Sequence, residues 1–184
     1  ITGRWYFDLG YSGSVNAEAD INLGGTADFT RKDLTLTAGY VFTNNWTVFG
    51  GYKSGTSEYE NFSDPAADPG YSAEFTADGL YGGAGVNIPS GKNVFSLNAA
   101  LAILDGEYKD SDPVNGDFSY TSDSVGLSLG AGFNMPLSNT SGIAIKANYQ
   151  NYNFDNLTES DGTAIEGEDN ESIFALDVGY YATF

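Results

Sequence analysis

Four glycines, Gly39, Gly85, Gly132 and Gly179, recur at spacings of 46, 47 and 47 residues, each set among alternating apolar side chains and followed by a turn or by the last residues of the chain. The segments read Leu-Thr-Ala-Gly-Tyr-Val-Phe (36–42), Gly-Gly-Ala-Gly-Val-Asn-Ile-Pro (82–89), Leu-Gly-Ala-Gly-Phe-Asn-Met-Pro (129–136) and Leu-Asp-Val-Gly-Tyr-Tyr-Ala-Thr-Phe (176–184). Self-similarity at a fixed period means one unit repeated. Each unit holds two strands, so four hairpins of about 46–47 residues give eight strands in a single domain over 1–184.

Period two dominates each strand. In the first, Trp5, Phe7, Leu9 and Tyr11 share one face while Tyr6, Asp8, Gly10 and Ser12 share the other. The sixth sets Val125, Leu127, Leu129, Ala131, Phe133 and Met135 against Ser124, Gly126, Ser128, Gly130, Gly132 and Asn134. The same alternation runs through 34–42, 46–53, 80–88, 95–103, 143–150 and 174–184. Each apolar stripe covers about the 9 to 11 residues with which a tilted strand crosses a bilayer. No run of about 18 apolar residues is present to make a transmembrane helix. If this chain spans a membrane, it does so as a closed barrel, because an open sheet would leave backbone groups unpaired in lipid.

Alternation is equally a property of soluble ligand-binding barrels, whose apolar face turns inward. Three features favour the membrane. The polar face is built of Gly, Ser, Thr, Asn and Lys, which suit the narrow interior of eight strands better than a hydrophobic cavity. Aromatic residues gather towards the stripe ends: Trp5, Tyr40, Phe42, Trp46, Phe133 and Phe184 on one side, Tyr11, Tyr52 and Tyr149 on the other. Such rings form the interfacial girdles of outer-membrane barrels. Connections also alternate, with short turns near 43–45, 89–93 and 136–142 and long polar loops expected near 14–28, 54–74, 105–123 and 155–171. The predicted fold is therefore all-β, an eight-stranded antiparallel up-and-down transmembrane β-barrel.

With these strands, the opening Trp5-Tyr6-Phe7-Asp8-Leu9-Gly10-Tyr11 and the closing Tyr180-Tyr181-Ala182-Thr183-Phe184, the chain resembles the small outer-membrane barrels of the OmpA transmembrane domain, OmpX and opacity-type surface proteins. The resemblance implies a bacterial outer-membrane location with loops extracellular and termini periplasmic. It implies lipid and lipopolysaccharide as surroundings. Tyr180 and Phe184 resemble the signal read by the barrel assembly machinery, although Ala182 stands where an aromatic residue is common. No separate periplasmic domain like that of OmpA follows the barrel in this sequence. The family includes adhesins, tethers, narrow channels and a few enzymes, so fold and location are implied more strongly than activity.

Strand parity assigns Arg4, Arg31, Lys53 and Lys146 to the lumen, together with Asp8, Asp33 and Asp177. Counting from the short turns groups Asp8, Lys146 and Asp177 near mid-height, and Asp33, Lys53 and Arg31 nearer the outer mouth. Such sets either plug and rigidify the barrel or form a gated or proton-conducting path, since ionisable groups within a membrane are functional candidates.

Most of the formal charge of −18 must then lie outside the lumen. Residues 155–171 alone carry seven carboxylates and no Lys or Arg. A surface of that sign repels nucleic acid and meets anionic lipopolysaccharide only through divalent cations. No cofactor is expected beyond loosely bound Ca²⁺ or Mg²⁺ at the acidic loops. Asp161, Glu166, Glu168 and Asp169 are the candidates for holding it, without the spaced ligand pattern of a dedicated calcium loop. Tyr59, Phe62, Tyr108, Phe118 and Tyr120 are candidate contact residues for an extracellular partner or a lateral neighbour, or else members of a rim that extends the barrel.

No Cys and no His are present, so thiolate chemistry and the commonest general base are missing. The expectation is a non-enzyme with a structural or surface-recognition role, presenting long acidic extracellular loops on a plugged barrel. The alternative is a narrow porin-like channel or a conduit for small or hydrophobic solutes.

Overall fold

The computed structural model describes residues 3–21, 25–62, 72–111 and 116–184, with side chains described over 3–20, 28–59, 73–111 and 116–184. Eight strands follow one another: β1 (Arg4–Ile21), β2 (Gly25–Val41), β3 (Trp46–Phe62), β4 (Ser72–Ser90), β5 (Asn93–Ser111), β6 (Phe118–Pro136), β7 (Ser141–Glu159) and β8 (Asp169–Thr183). Every strand pairs antiparallel with its sequence neighbour, and β1 pairs with β8, closing the barrel. The predicted fold is thus the observed one. Short connections tie β2 to β3, β4 to β5 and β6 to β7; Asn45 (φ 67°) and Gly91 (φ 64°) supply the left-handed backbone that two of these tight reversals use.

The lipid-type face agrees with the parity. Trp5, Phe7, Leu9 and Tyr11, Leu34 and Leu36, Leu80, Leu101, Ile103, Val125, Leu129 and Val178 all point outward and are exposed. Towards the short-turn end, aromatic rings meet across strands, Trp5 against Tyr40 at 5.3 Å and Phe95 against Phe133 at 5.3 Å between centroids. Arg4, assigned to the lumen from parity, is instead exposed, because it stands at the barrel rim where facing inward or outward makes little difference to hydration.

Among the described residues, the long polar loops expected from the sequence are shorter than expected. Strands run 15 to 19 residues, well beyond the apolar stripe, and most of 14–28 and 105–123 continues the ladder, while 160–168 remains a connection between β7 and β8 and 63–71, within the expected 54–74 loop, lies outside the described residues. The cause is a change of face. On β5, Ile103 points out at 67% exposure while the next residue, Leu104, is fully buried inside. Beyond that level Asp105, Glu107 and Lys109 point outward and are exposed. The half of the barrel near the long hairpins therefore packs like a soluble barrel, around Phe29, Phe75, Ala77, Leu104, Tyr152, Phe154 and Ile173. Phe75 and Phe154 meet edge to face at 4.5 Å. Bulges adjust parity in this region: β1 slips between Ser14 and Asn16, leaving Val15 63% exposed and turning Ala17 and Ala19 inward. In β7, Asn156 (φ 53°) occupies a second irregularity, after which Leu157 is buried.

Inward glycines make room for large lumen side chains. A Cβ on Gly39 would lie 2.5 Å from the ring of Tyr6, its direct cross-strand partner, and Gly126 stands in the same relation to Tyr152. Of the four glycines of the repeat, Gly39 seats the Tyr6 ring, Gly132 lies against Lys146, Gly179 faces the Asp8 carboxylate and Gly85 lies against the β5 backbone.

Candidate functional site in the barrel lumen

Three tiers fill the interior. Nearest the short turns is a cavity of about 190 Å³, running from Asn45, Pro89 and Thr183 at the rim up to Lys53, Gln150 and Tyr152. Polar side chains of β1, β2, β5 and β7 line it, among them Asp8, Thr37, Asn98, Lys146 and Asn148. Inside the barrel, Thr37 and Tyr81 share a hydrogen bond through their hydroxyls.

Above the cavity lies an ionic layer. Asp33 Oδ1 accepts from Arg31 Nε at 2.9 Å, while its Oδ2 meets Lys53 Nζ at 3.0 Å. Arg31 Nη1 reaches Ser57 Oγ at 3.2 Å and Glu171 Oε2 at 3.3 Å. Lys53 Nζ also donates to Gln150 Oε1 at 2.6 Å and to Tyr152 Oη at 2.7 Å, and the Tyr152 hydroxyl in turn donates to Gln150. The Tyr152 ring carries Arg31 and Lys53 within 5.2 and 5.3 Å of its centroid, a distance at which its π face attracts cations. Arg31, Asp33, Lys53 and Glu171 are all buried. Closing the third tier, the Tyr59 hydroxyl donates to Glu171, and the aromatic and aliphatic cluster stands beyond.

The structure brings Arg31, Asp33 and Lys53 together as the parity count implied. It also adds Glu171, which the sequence reading left among the solvated acids of residues 155–171. Glu171 is 1% exposed. The signal was available, because Glu171 continues the odd-numbered inward set Ile173, Ala175 and Asp177 of β8. The mid-height set is looser. Lys146 Nζ stands 3.8 Å from Asp8 Oδ2, and Asp177, directly opposite Lys146 in the ladder, accepts a hydrogen bond from the Asn148 amide.

Candidate residues near the long hairpins are placed variously. Tyr59 is half-buried against the inner cluster and bonded to Glu171, so it is a core residue rather than a loop contact. Tyr108 also packs on that cluster and stacks on Tyr120 with centroids 4.7 Å apart. The Tyr120 hydroxyl donates to Asp169 at 3.0 Å. Phe118 is 39% exposed, and the side chain of Phe62 lies outside the described residues. These rings build a rim because their strands continue beyond the apolar belt. Asp161, Glu166, Glu168 and Asp169 are not gathered into a metal-binding group; among the described residues no cluster of three or more potential ligands occurs. Asp161 accepts from the Thr163 amide at 2.8 Å, and the side-chain and backbone hydrogen bonds of Thr163 hold its carboxyl below the usual range. Tyr180 and Phe184, proposed as an assembly signal, point outward from β8 at 53% and 73% exposure.

One feature of the outer wall is visible only through the register. Asp78, Asp105, Asp123 and Asp155 stand directly opposite one another across β4, β5, β6 and β7, all exposed. The row lies immediately above Leu80, Ile103 and Val125, the last large apolar residues of the belt on those strands. The Asn156 amide bonds Asp123 at 3.3 Å and Asp155 at 3.4 Å. None of the four carboxylates has an ion pair among the described residues.

A family model described as outer membrane protein beta-barrel domain matches residues 1–181. Among curated proteins none matches the sequence. Solved structures do. OprG of Pseudomonas aeruginosa superposes with a TM-score of 0.58 at 13% identity, covering 100% of this chain and 96% of that one. Ail, the attachment invasion locus protein of Yersinia pestis, in complex with the heparin analogue sucrose octasulfate, gives 0.57 at 20% identity over 98% and 99% of the two chains. Neisserial surface protein A gives 0.50 at 15% identity over 98% and 97%. At these identities the likeness is one of fold.

Proposed function

Because the chain belongs to the outer membrane protein β-barrel domain family, we propose that it is a non-catalytic surface-interaction barrel of the bacterial outer membrane, with a plugged lumen and an acidic outer rim. In this reading the long hairpins are extracellular and the termini periplasmic, following the family arrangement of short periplasmic turns. The observation that carries it is the row Asp78, Asp105, Asp123 and Asp155 directly above the apolar belt. Like charges facing one another across strands cost stability, so the row is read as made for a contact outside the barrel that offsets this cost. At headgroup height the fitting partner is an anionic lipopolysaccharide bridged by Mg²⁺ or Ca²⁺, or a cationic protein surface. The polysulfated ligand of the Ail complex does not transfer to a rim of this charge.

The test is retention of lipopolysaccharide by the immobilised, folded barrel with Mg²⁺ and with a chelator. We expect Mg²⁺-dependent retention that falls at least about fivefold when all four aspartates become Asn, the scale of one lost ionic contact. Equal retention by both proteins sinks the role of the row. A second reading, a narrow channel, is favoured by the cavity on the short-turn side. It predicts discrete current steps in a planar bilayer that change in Lys53→Gln, whereas the plugged reading predicts silence from native folded protein.

A further inference from the structure

Among the described residues, the lumen holds one more carboxylate than cation: Asp8, Asp33, Glu171 and Asp177 against Arg31, Lys53 and Lys146. The shortfall is localised. An ammonium group has three protons, and those of Lys53 are taken by Asp33, Gln150 and Tyr152. Arg31 serves Asp33 and Glu171. Neither Lys53 nor Arg31 makes an ion pair with Asp8 or Asp177, and Lys146 reaches Asp8 no closer than 3.8 Å.

Both carboxylates line the cavity on the short-turn side. Asp8 is 4% exposed and pairs with Lys146 only at 3.8 Å, and Asp177 Oδ1 has no partner. Two further buried groups on the same cavity, the hydroxyls of Tyr181 (6% exposed) and Thr183 (3%), are also unpartnered. Buried polar atoms are nearly always satisfied in folded proteins, so three at one cavity mark a place for something else. Water satisfies hydroxyls, whereas a carboxylate in a narrow, low-dielectric lumen stays ionised only beside a cation and otherwise takes up a proton.

We infer that the short-turn half of the lumen is a binding site for one small organic ammonium cation, held between Asp8 and Asp177. The charge deficit is one, which fits a monocation. About 190 Å³ far exceeds a bare metal ion, and among the described residues no cluster of three acidic ligands is present to strip a divalent ion of its water. Tyr6, Phe49 and Tyr81 give the same cavity aromatic walls, which favour an alkylammonium over a strongly hydrated ion. Lys146 competes for the same carboxylates, so the native site is a weak one. The inference is independent of the acidic rim on the opposite face of the wall.

The experiment is an amide NMR titration of the full, folded barrel in zwitterionic micelles with ethylammonium chloride, against sodium chloride at matched ionic strength. Expected are saturable shifts centred on Gly179, Asn148 and Thr183 with ethylammonium alone, abolished in Asp177→Asn. Lys146→Gln removes the competitor and should tighten binding about tenfold, the usual scale of a close charge interaction. That gain serves as the second readout if Asp177→Asn fails to fold. Shifts equal in sodium, shifts centred on the rim, persistence in folded Asp177→Asn, or weaker binding by Lys146→Gln each overturn the site.

Discussion

Two adjacent rows of the same β-ladder treat carboxylates in opposite ways. The row through Asp33, Gly55, Ala77, Gly106 and Ser122 faces inward, and its single acid contacts Ser12, Arg31 and Lys53. One residue away, the row Asp78, Asp105, Asp123 and Asp155 faces outward and sets four acids side by side with no cation among them. In a narrow lumen the cost of desolvating a charge compels pairing, whereas water screens an outer row and tolerates it. The inner row is therefore answerable to stability. The outer row carries a small stability cost with no cation paired to it among the described residues, which is the ground for proposing recognition there.

Arg31 tests the inner half of that comparison most severely. Replacing it by Met strands Glu171 beside Tyr59 and leaves Asp33 to Lys53 and Ser12, and the expected loss is about 3–5 kcal/mol in urea unfolding from lipid vesicles. Adding Glu171→Gln to Arg31→Met should restore about 1–2 kcal/mol, because groups in one network couple. A loss below about 1 kcal/mol for the single change would mean that water reaches this layer and that inside and outside do not differ.

How far the sequence anticipated this layer depends on which side of the face change a residue lies. Below it, alternation with apolar residues outward was unbroken, so Asp8, Lys53, Lys146 and Asp177 were assignable to the lumen and all eight strands were legible. Above it, apolar and polar residues exchange faces within one step, as at Ile103 and Leu104. A reader who expects apolar residues to point outward sees polar loops there. Glu171 and Tyr59 read as a loop acid and a loop contact for this reason, although each keeps the parity of its own strand. The bulges at Val15 and Asn156 carried no comparable warning. The four-aspartate row was illegible for a different reason: Asp78, Asp105, Asp123 and Asp155 lie about 18 to 32 residues apart in sequence, and only strand register, which the pairing geometry fixes, makes them neighbours.

Lys146 sharpens the comparison at intermediate strength. Its ammonium is partly exposed in the cavity, with a side-chain accessibility of 28%, and serves two carboxylates. Lys109 pairs with Glu107 at 2.9 Å on the outer rim, but its side chain is 62% exposed. Lys146→Leu should cost about 1–2 kcal/mol, between the buried and surface limits, and Lys109→Leu less than about 0.5 kcal/mol. Equal effects in the same unfolding assay would overturn the inward placement of Lys146.

The smallest effect belongs to the outer row and has the opposite sign. Asp105 has an aspartate on each side, Asp78 and Asp123, at direct cross-strand positions. Asp105→Asn keeps the shape and the hydration of the site while removing two like-charge contacts, so it should stabilise the barrel by about 0.5 kcal/mol in low salt. Near 1 M salt the screening length of about 3 Å is shorter than the spacing between neighbouring strands, and the gain should vanish. An inner carboxylate offers no such behaviour, since its partners are shielded from salt. A stabilisation by Asp105→Asn that fades with salt, measured beside an Arg31→Met loss that does not, separates the two rows by sign and by screening. A salt-insensitive loss from Asp105→Asn would instead show that the outer acids are tied into structure and are not free to meet a partner.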